Sequence, residues 1–230
     1  MKVFLPALTL VALLQACTSN EIGNSKDVNP DAIYRSYNIS YSEGDDVVWC
    51  RCQFRFAGKN GTTLILASPG SIELDSQKLY LDSSSYSGAF YYAQRQFNQF
   101  EGTHTLTYKD INGNTFPQQF VFTPFTLVTK IPAEITATDL PLSFTGMKDG
   151  FIIRVEVADT SSNTEDIYET DTVQNNGIVI KGNELAKLKD GPLDISFYAD
   201  NNFPLDNPAK QGGTLNLFYK LKYQETVLKK

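Results

Sequence analysis

The sequence predicts an all-β protein made of two tandem antiparallel β-sandwiches. Three observations predict it: short runs rich in aromatic and β-branched residues, turn signals between those runs, and an internal repeat. The 230-residue chain contains 15 Phe and 12 Tyr, which are residue types enriched in strands. Helix signals are nearly absent, and only residues 183–189 are expected to form one helical turn.

Composition indicates an ordinary globular protein, with 41% hydrophobic and 20% charged residues. The formal net charge is −6. Nucleic-acid binding requires clustered Lys and Arg that neutralise phosphates. We therefore expect no nucleic-acid partner.

The folded part repeats itself, because four glycines recur 88 or 89 positions later. The pairs are Gly58 and Gly146, Gly61 and Gly150, Gly88 and Gly177, and Gly102 and Gly191. This period is too long for a solenoid and matches a small β-sandwich. We expect one domain over residues 31–127 and another over 128–230, joined near Thr126–Pro132 and each able to fold alone.

Turn signals and side-chain alternation support this architecture. Asn60-Gly61 and Asn112-Gly113 lie between strand-like runs, as hairpin turns require. The run Thr103–Lys109 alternates apolar with polar residues, which is typical of a half-buried antiparallel strand.

The run GTHTL, Gly102–Leu106, resembles strand F of immunoglobulin-like folds. His104 occupies the position of the corner Tyr, and Leu106 that of the disulfide Cys. Gly191–Ile195 repeats the arrangement. The resemblance implies two Ig-like domains that lack the Cys pair of antibody domains.

The N-terminus predicts export. Its apolar run, Val3–Leu14, is too short to span a bilayer and fits a secretory signal peptide. The following residues, Leu14 to Cys17, read LQAC and resemble the lipobox of bacterial lipoproteins. The resemblance implies removal of residues 1–16 and acylation of Cys17; the alternative is a secreted protein with an incidental Cys.

The resemblance also favours the outer membrane, because Thr18 stands where Asp commonly marks inner-membrane retention in enteric bacteria. Which membrane face carries the protein stays open. Residues 17–30 are polar and are expected to form a flexible tether.

The stretch VVWCRCQFRF, Val47–Phe56, is expected to be a strand with two different faces. Cys50, Cys52, Phe54 and Phe56 share the core face. A Cys50–Cys52 disulfide is not expected, because side chains two positions apart in a strand lie about 6.6 Å apart at Cα. A zinc site needs about four ligands, so no metal site is expected.

The other face of this stretch carries the only tryptophan, Trp49, next to Arg51. Such a pair can form a ligand platform. The competing interpretation is that Trp49 covers a sheet edge or packs on the neighbouring domain, as exposed aromatic residues on sandwiches often do.

Catalysis has little support, since no nucleophile, metalloprotease or phosphate-loop motif occurs. His104 is interpreted as a hydrogen-bonded structural residue. The acidic run Asp159–Asp171 lacks the Gly and Glu that an EF-hand loop needs. We interpret it as a solvated connection, with calcium binding left open, and expect no catalytic residue and no cofactor.

The segment Ala199–Gly213 replaces a tight turn of the first repeat and is expected to be a long loop. Long loops are often functional. The predicted ligand-binding residues are Asn201, Asn202, Phe203, Asp206 and Asn207. The alternative is an insertion packed against the first domain.

Together these features resemble Gram-negative envelope lipoproteins built from tandem Ig-like domains. The chain is expected to be a membrane-anchored, non-catalytic binding or structural module. The alternative is a glycan-binding accessory lipoprotein that uses Trp49 or the long loop, and an enzyme is third. The expected partners are the membrane, through lipid on Cys17, and an envelope protein or a glycan.

Overall fold

The computed structural model describes residues 20–160 and 166–230. The first half is a β-sandwich of two sheets. Its strands are β1 (Ile22–Asn24), β2 (Ile33–Ser42), β3 (Val47–Phe56), β4 (Thr62–Ile65), β5 (Ser71–Leu74), β6 (Gln77–Lys78), β7 (Tyr80–Ser84), β8 (Gly88–Gln96), β9 (Gly102–Lys109) and β10 (Thr115–Phe122). One sheet contains β1–β4, β7 and β8, and the other has the order β10-β9-β5-β6. Short 3₁₀ helices lie at Ser25–Asp27, Pro30–Ala32 and Phe97–Gln99.

The second half repeats the plan. Its strands are β11 (Thr126–Leu127), β12 (Glu134–Ile135), β13 (Leu140–Thr145), β14 (Ile152–Asp159), β15 (Ile167–Thr172), β16 (Gly177–Ile180), β17 (Gly191–Ala209), β18 (Gly212–Lys220) and β19 (Gln224–Leu228). A four-residue helix, α1, spans Gly182–Leu185. The order β11-β13-β16 forms one sheet, which faces β14, β15 and β17. The predicted all-β class with two tandem β-sandwiches is confirmed.

The internal repeat has a physical basis in the glycines that begin matching strands. Gly102 opens β9 with φ of 122°, and Gly191 opens β17 with φ of 150°. Residues that carry a side chain rarely adopt a positive φ, whereas glycine does so readily. The boundary expected after residue 127 lies slightly earlier in the structure. Strand β11 pairs with β13, so Thr126 and Leu127 already belong to the second sandwich.

Alternating burial builds the two cores. In the first domain, Phe54 from one sheet contacts Tyr108 from the other, with ring centroids 4.8 Å apart. In the second, Phe144 and Phe197 meet edge to face at 5.5 Å. Edge-to-face and offset contacts of this kind are the geometries that aromatic pairs prefer.

Strands β17 and β18 extend beyond the second sandwich as a long hairpin, here called the arm: Tyr198–Ala209 with Gly212–Lys220. Its strand β18 pairs in parallel with β2, from Gly213 opposite Arg35 to Lys220 opposite Ser42. One continuous sheet therefore runs through both domains in the order β15-β14-β17-β18-β2-β3 and continues into β8 and β7. The expectation of a loop over Ala199–Gly213 is wrong.

Specific contacts fix the arm to the first domain. Leu205 is buried. The backbone N–H of Asp206 donates to Gln118 Oε1 at 2.8 Å, and Gln118 Nε2 donates to Asp206 Oδ2 at 3.1 Å. The Arg35 guanidinium donates to the carbonyl of Asn207. The segment Ala199–Gly213 is therefore packed against the first domain, which was the alternative interpretation of the sequence.

The expected flexible tether is also wrong for its described part. Strand β1 pairs in parallel with β4, and the backbone N–H of Thr63 donates to the carbonyl of Glu21 at 2.9 Å. Ser25 is buried, and its Oγ accepts from the backbone N–H of Ala67 at 2.8 Å. The chain is thus held against the first domain from Glu21 onward.

Residues 1–16 and Cys17 lie outside the described residues. Among the described helices, none has the length and apolarity needed to cross a membrane. Independent folding of the two domains stays a prediction.

Candidate functional site

The candidate site lies on the outer face, defined as the side of the continuous sheet turned away from both cores. Strand β3 shows how the sequence creates it. Cys50, Cys52 and Phe54 are buried, whereas Trp49 is 42% exposed and Arg51 is exposed. Successive side chains of a strand point to opposite faces, so this strand supplies core and surface at once.

An aromatic platform forms where β3, β8 and β7 lie side by side. We define it by four residues: Trp49, Phe90, Tyr92 and Tyr80. The ring of Tyr92 lies 6.3 Å from Trp49, 6.3 Å from Phe90 and 6.0 Å from Tyr80, measured between centroids. Tyr80 is 69% exposed. Several aromatic planes therefore share one solvent-facing surface, and an exposed apolar cluster of this kind often marks a binding site.

Arg51 borders the platform. Its guanidinium carbon lies 4.2 Å from the centroid of the Phe90 ring, which is a cation–π contact. Partial burial against its neighbours lowers the pKa of the Arg51 guanidinium. Burial first, and then the charge of Arg51, lower the pKa of Arg55 as well, so the two cations lie close enough to repel each other.

A row of amides continues from Arg51 across the arm. The residues in register are Arg51 on β3, Asn38 on β2, Asn216 on β18 and Asn202 on β17. Asn216 Nδ2 donates to Asn202 Oδ1 at 3.1 Å and to a carboxylate oxygen of Asp200 at 2.5 Å. Neighbouring strands are about 4.8 Å apart, so Asn202 lies about 14 Å from Arg51. The arm therefore places Asn202, a predicted residue of the second domain, on the same face as the first-domain platform but separated from Arg51 by two strands.

The other predicted arm residues face away from the platform. Asn201, Phe203 and Asp206 line a groove of about 550 Å³ between β10, the arm and residues 146–151. Phe203 is 38% exposed there. Asn207 contacts Arg35 through its carbonyl. The structure therefore divides the predicted set between the groove, the docking contact and the outer face.

The remaining predictions for the opening strand have mixed outcomes. Cys50 and Cys52 are unpaired and buried as expected, with their sulfurs 4.0 Å apart, and burial raises the pKa of the Cys52 thiol. The prediction that Phe56 is a core residue is wrong, because its side chain is 39% exposed. Arg55 is buried, and its Nη1 donates to the carbonyl of Gly61 at 2.7 Å.

His104 has the structural role predicted for it. Its Nδ1 lies 2.7 Å from Asp75 Oδ2, and its Nε2 lies 2.8 Å from the carbonyl oxygen of Phe100. The ring also stacks on Phe100 at 3.9 Å. Both nitrogens are occupied by protein atoms, so the imidazole stabilises the β9 end of the sandwich. Across residues 20–160 and 166–230, no group of three or more His, Cys, Asp or Glu is arranged to hold a metal ion.

Sequence reasoning missed Tyr80, Phe90 and Tyr92. The alternation in Gly88–Gln96 was a usable signal, because it places Phe90 and Tyr92 on one side and the buried Ala89 and Tyr91 on the other. What the pattern does not contain is the partner of β8. Only the pairing of Arg51 with Tyr92 brings these rings next to Trp49.

No protein-family model matches the sequence, and no curated protein matches it. Among solved structures, the tetra-tandem repeat of a large adhesion protein is 16% identical, with 86% of this chain and 50% of that one covered and a TM-score of 0.31. SGBP-B of the Bacteroides ovatus mixed-linkage glucan utilization locus, in complex with a mixed-linkage heptasaccharide, is 14% identical, with 91% and 65% covered and a TM-score of 0.27. The fibronectin(III)-like modules of Clostridium thermocellum CbhA are 14% identical, with 82% and 92% covered and a TM-score of 0.28. The chain spans half of the first structure and just under two thirds of the second, and none superposes closely on the whole chain.

Proposed function

We propose that this protein is a non-catalytic carbohydrate-binding module of the bacterial envelope, which holds a glycan on the outer face of its continuous sheet. The observation that carries the proposal is the aromatic platform: four rings from three adjacent strands, with Trp49 and Tyr80 exposed to solvent. A sugar ring has an apolar face that stacks on such planes and a rim of hydroxyl groups that need hydrogen-bond partners.

Polar groups suited to those hydroxyls surround the rings. Gln94 lies opposite Trp49 in the β3–β8 ladder and is exposed, and Asn38 lies opposite Arg51 and is also exposed. A specific ligand site combines an apolar surface with a few placed polar groups in this way. These amides favour a glycan over a purely hydrophobic partner.

Trp49 offers a direct test of the site. Trp49→Ala should weaken binding to a recognised polysaccharide roughly tenfold by removing one stacking plane, while the melting temperature stays nearly constant because Trp49 is exposed. Binding would be measured by affinity electrophoresis and calorimetry against a panel of neutral and acidic polysaccharides.

The matched control for this test is Phe203→Ala, which removes an aromatic ring from the groove on the opposite side of the arm. It should leave glycan affinity unchanged. If no polysaccharide binds the wild type, or if Phe203→Ala weakens binding while Trp49→Ala does not, the outer face is not the glycan site.

Anchoring in the envelope is part of the proposal and rests on the residues LQAC at Leu14–Cys17. Fatty-acid label should enter the wild type, and Cys17→Ala should lose both the label and its partition into detergent. A soluble, unlabelled wild type would contradict anchoring, and it would leave the glycan site untouched because that site lies entirely within the folded domains.

A further inference from the structure

Arg51 is a cation without a counter-ion. Within residues 20–160 and 166–230 its guanidinium forms no ion pair and no hydrogen bond with a protein atom, and it stacks on the Phe90 ring at 4.2 Å. Its neighbour on the same face, Arg55, differs because Gly61 and Gln53 accept its hydrogen bonds. Arg51 therefore keeps its whole set of donors available to a ligand.

The nearest neighbours of Arg51 in the sheet are uncharged, and the nearby charge of Arg55 is also positive. Along β3, Arg51 lies between Trp49 and Gln53, and across the ladder it faces Asn38 and Tyr92, all of them uncharged. This arrangement occurs on a protein of net charge −6. An unpaired guanidinium at the border of an aromatic platform is complementary to a ligand that combines a ring with an apolar face and a negative charge.

We propose that the platform takes acidic polysaccharides of the uronate class: a sugar ring stacks on Trp49 and Tyr92, and its carboxylate pairs with Arg51. This inference rests on the proposed function and adds the chemical class of the ligand. The planar fork of a guanidinium binds a carboxylate through two parallel hydrogen bonds. Stacking on Phe90 holds that fork in place before the ligand arrives, which lowers the entropy lost on binding.

One acidic side chain on the same face works against an anionic ligand. Asp82 on β7 lies opposite Phe90 in the ladder, and its Oδ1 accepts from the backbone N–H of Ser83 at 2.7 Å. It forms no ion pair with Arg51. Asp82→Asn should therefore strengthen uronate binding, so the proposal also predicts a variant with higher affinity than the wild type.

The experiment compares each acidic chain with its own neutral form. The probes are polygalacturonate, alginate and hyaluronan, each beside its methyl ester, which keeps the sugar and removes the charge. Wild-type protein should bind at least one acidic form roughly tenfold more tightly than its ester, since hydrogen bonds to charged groups contribute about that factor. Added salt should weaken the preference.

Two variants separate the role of Arg51 from a general effect of charge. Arg51→Gln should abolish the preference for the acidic form, so that the variant binds the acid and its ester with about the same affinity. Arg154→Gln is the matched control, because Arg154 also contacts a ring on the outer face, that of Tyr198 at 4.5 Å, but belongs to the second domain. It should keep the full preference.

The outcomes distinguish this inference from the proposed function. If neutral polysaccharides or esters bind and lose affinity in Trp49→Ala, but no acidic form binds better, the uronate assignment is wrong and the glycan site stands. If Arg51→Gln keeps the preference, Arg51 is not the recognition group. If no polysaccharide of either kind binds, the proposed function fails and this inference fails with it.

Discussion

Trp49 and Cys50 are neighbours in the chain, yet one side chain faces solvent and the other is 1% exposed. The alternation that separates them is legible in the sequence because a strand has a period of two. The same rule failed at Phe56, which is the last residue of β3 before the turn over residues 57–61. The carbonyl of Gly61 in that turn accepts a hydrogen bond from Arg55, and the alternation of a strand contains no information about a turn that folds back onto it.

At this scale, the buried thiol of Cys52 gives a stability prediction. Cys52→Ser should lower the free energy of unfolding by about 1–3 kcal/mol, because it buries a hydroxyl that the apolar surroundings do not satisfy. Urea denaturation of a soluble chain lacking Cys17 would measure it. Cys52→Ala is the control for lost volume, and a serine variant as stable as the alanine variant would contradict the polar explanation.

The arm is the element that sequence reasoning misread. Its length was visible, since Ala199–Gly213 exceeds the tight turn that matches it in the first repeat. Its conformation was not, because Asn, Asp and Pro are depleted in strands and the residues between Asp200 and Pro208 are rich in them. The deciding interactions are tertiary: β2 offers an open edge, and β18 satisfies its backbone groups.

Docking of the arm predicts unequal costs for two nearby apolar residues. Leu205→Ala should lower the free energy of unfolding by about 2–5 kcal/mol, since the side chain of Leu205 on the inner side of the arm is 4% exposed. Phe203→Ala, two positions earlier, should cost clearly less because its ring is partly in solvent. Chemical denaturation of both variants would measure the two losses of unfolding free energy. Equal small losses would mean that the arm is not held on the first domain.

At the scale of the whole molecule, the continuous sheet joins two sandwiches that the sequence presents as separate. The duplication and its strands could be predicted, because the turn glycines and the alternation are local signals. The joining could not, since a parallel pairing between residues about 180 positions apart leaves no local trace. The platform could likewise be predicted only in part. Trp49 and Arg51 were identified from the sequence, but Phe90, Tyr92 and Tyr80 become their neighbours only through the pairing of β3 with β8 and of β8 with β7.

This joining predicts the thermal behaviour of the protein. The chain from residue 20 onward should unfold in one calorimetric transition. A fragment of residues 20–127 should fold but melt about 10 °C or more lower, because a loss of roughly 2 kcal/mol shifts the melting temperature of a domain of this size by that amount and β2 regains an unpaired edge. Two well-separated transitions in the full chain, or a fragment that melts with it, would show that the arm adds no coupling.

The attachment of β1 to β4 sets how the protein would stand on a membrane. With lipid on Cys17, only Thr18 to Glu21 separate the anchor from Ile22, a reach of about 17 Å when fully extended. A linker of that length would hold the first sandwich close to the headgroups. The pairing of the arm with β2 would then fix the orientation of the second sandwich relative to the first. With both proposals in place, the protein would act as a rigid spacer, and the distance from the bilayer to a bound polysaccharide would depend on the folded domains and not on a flexible linker.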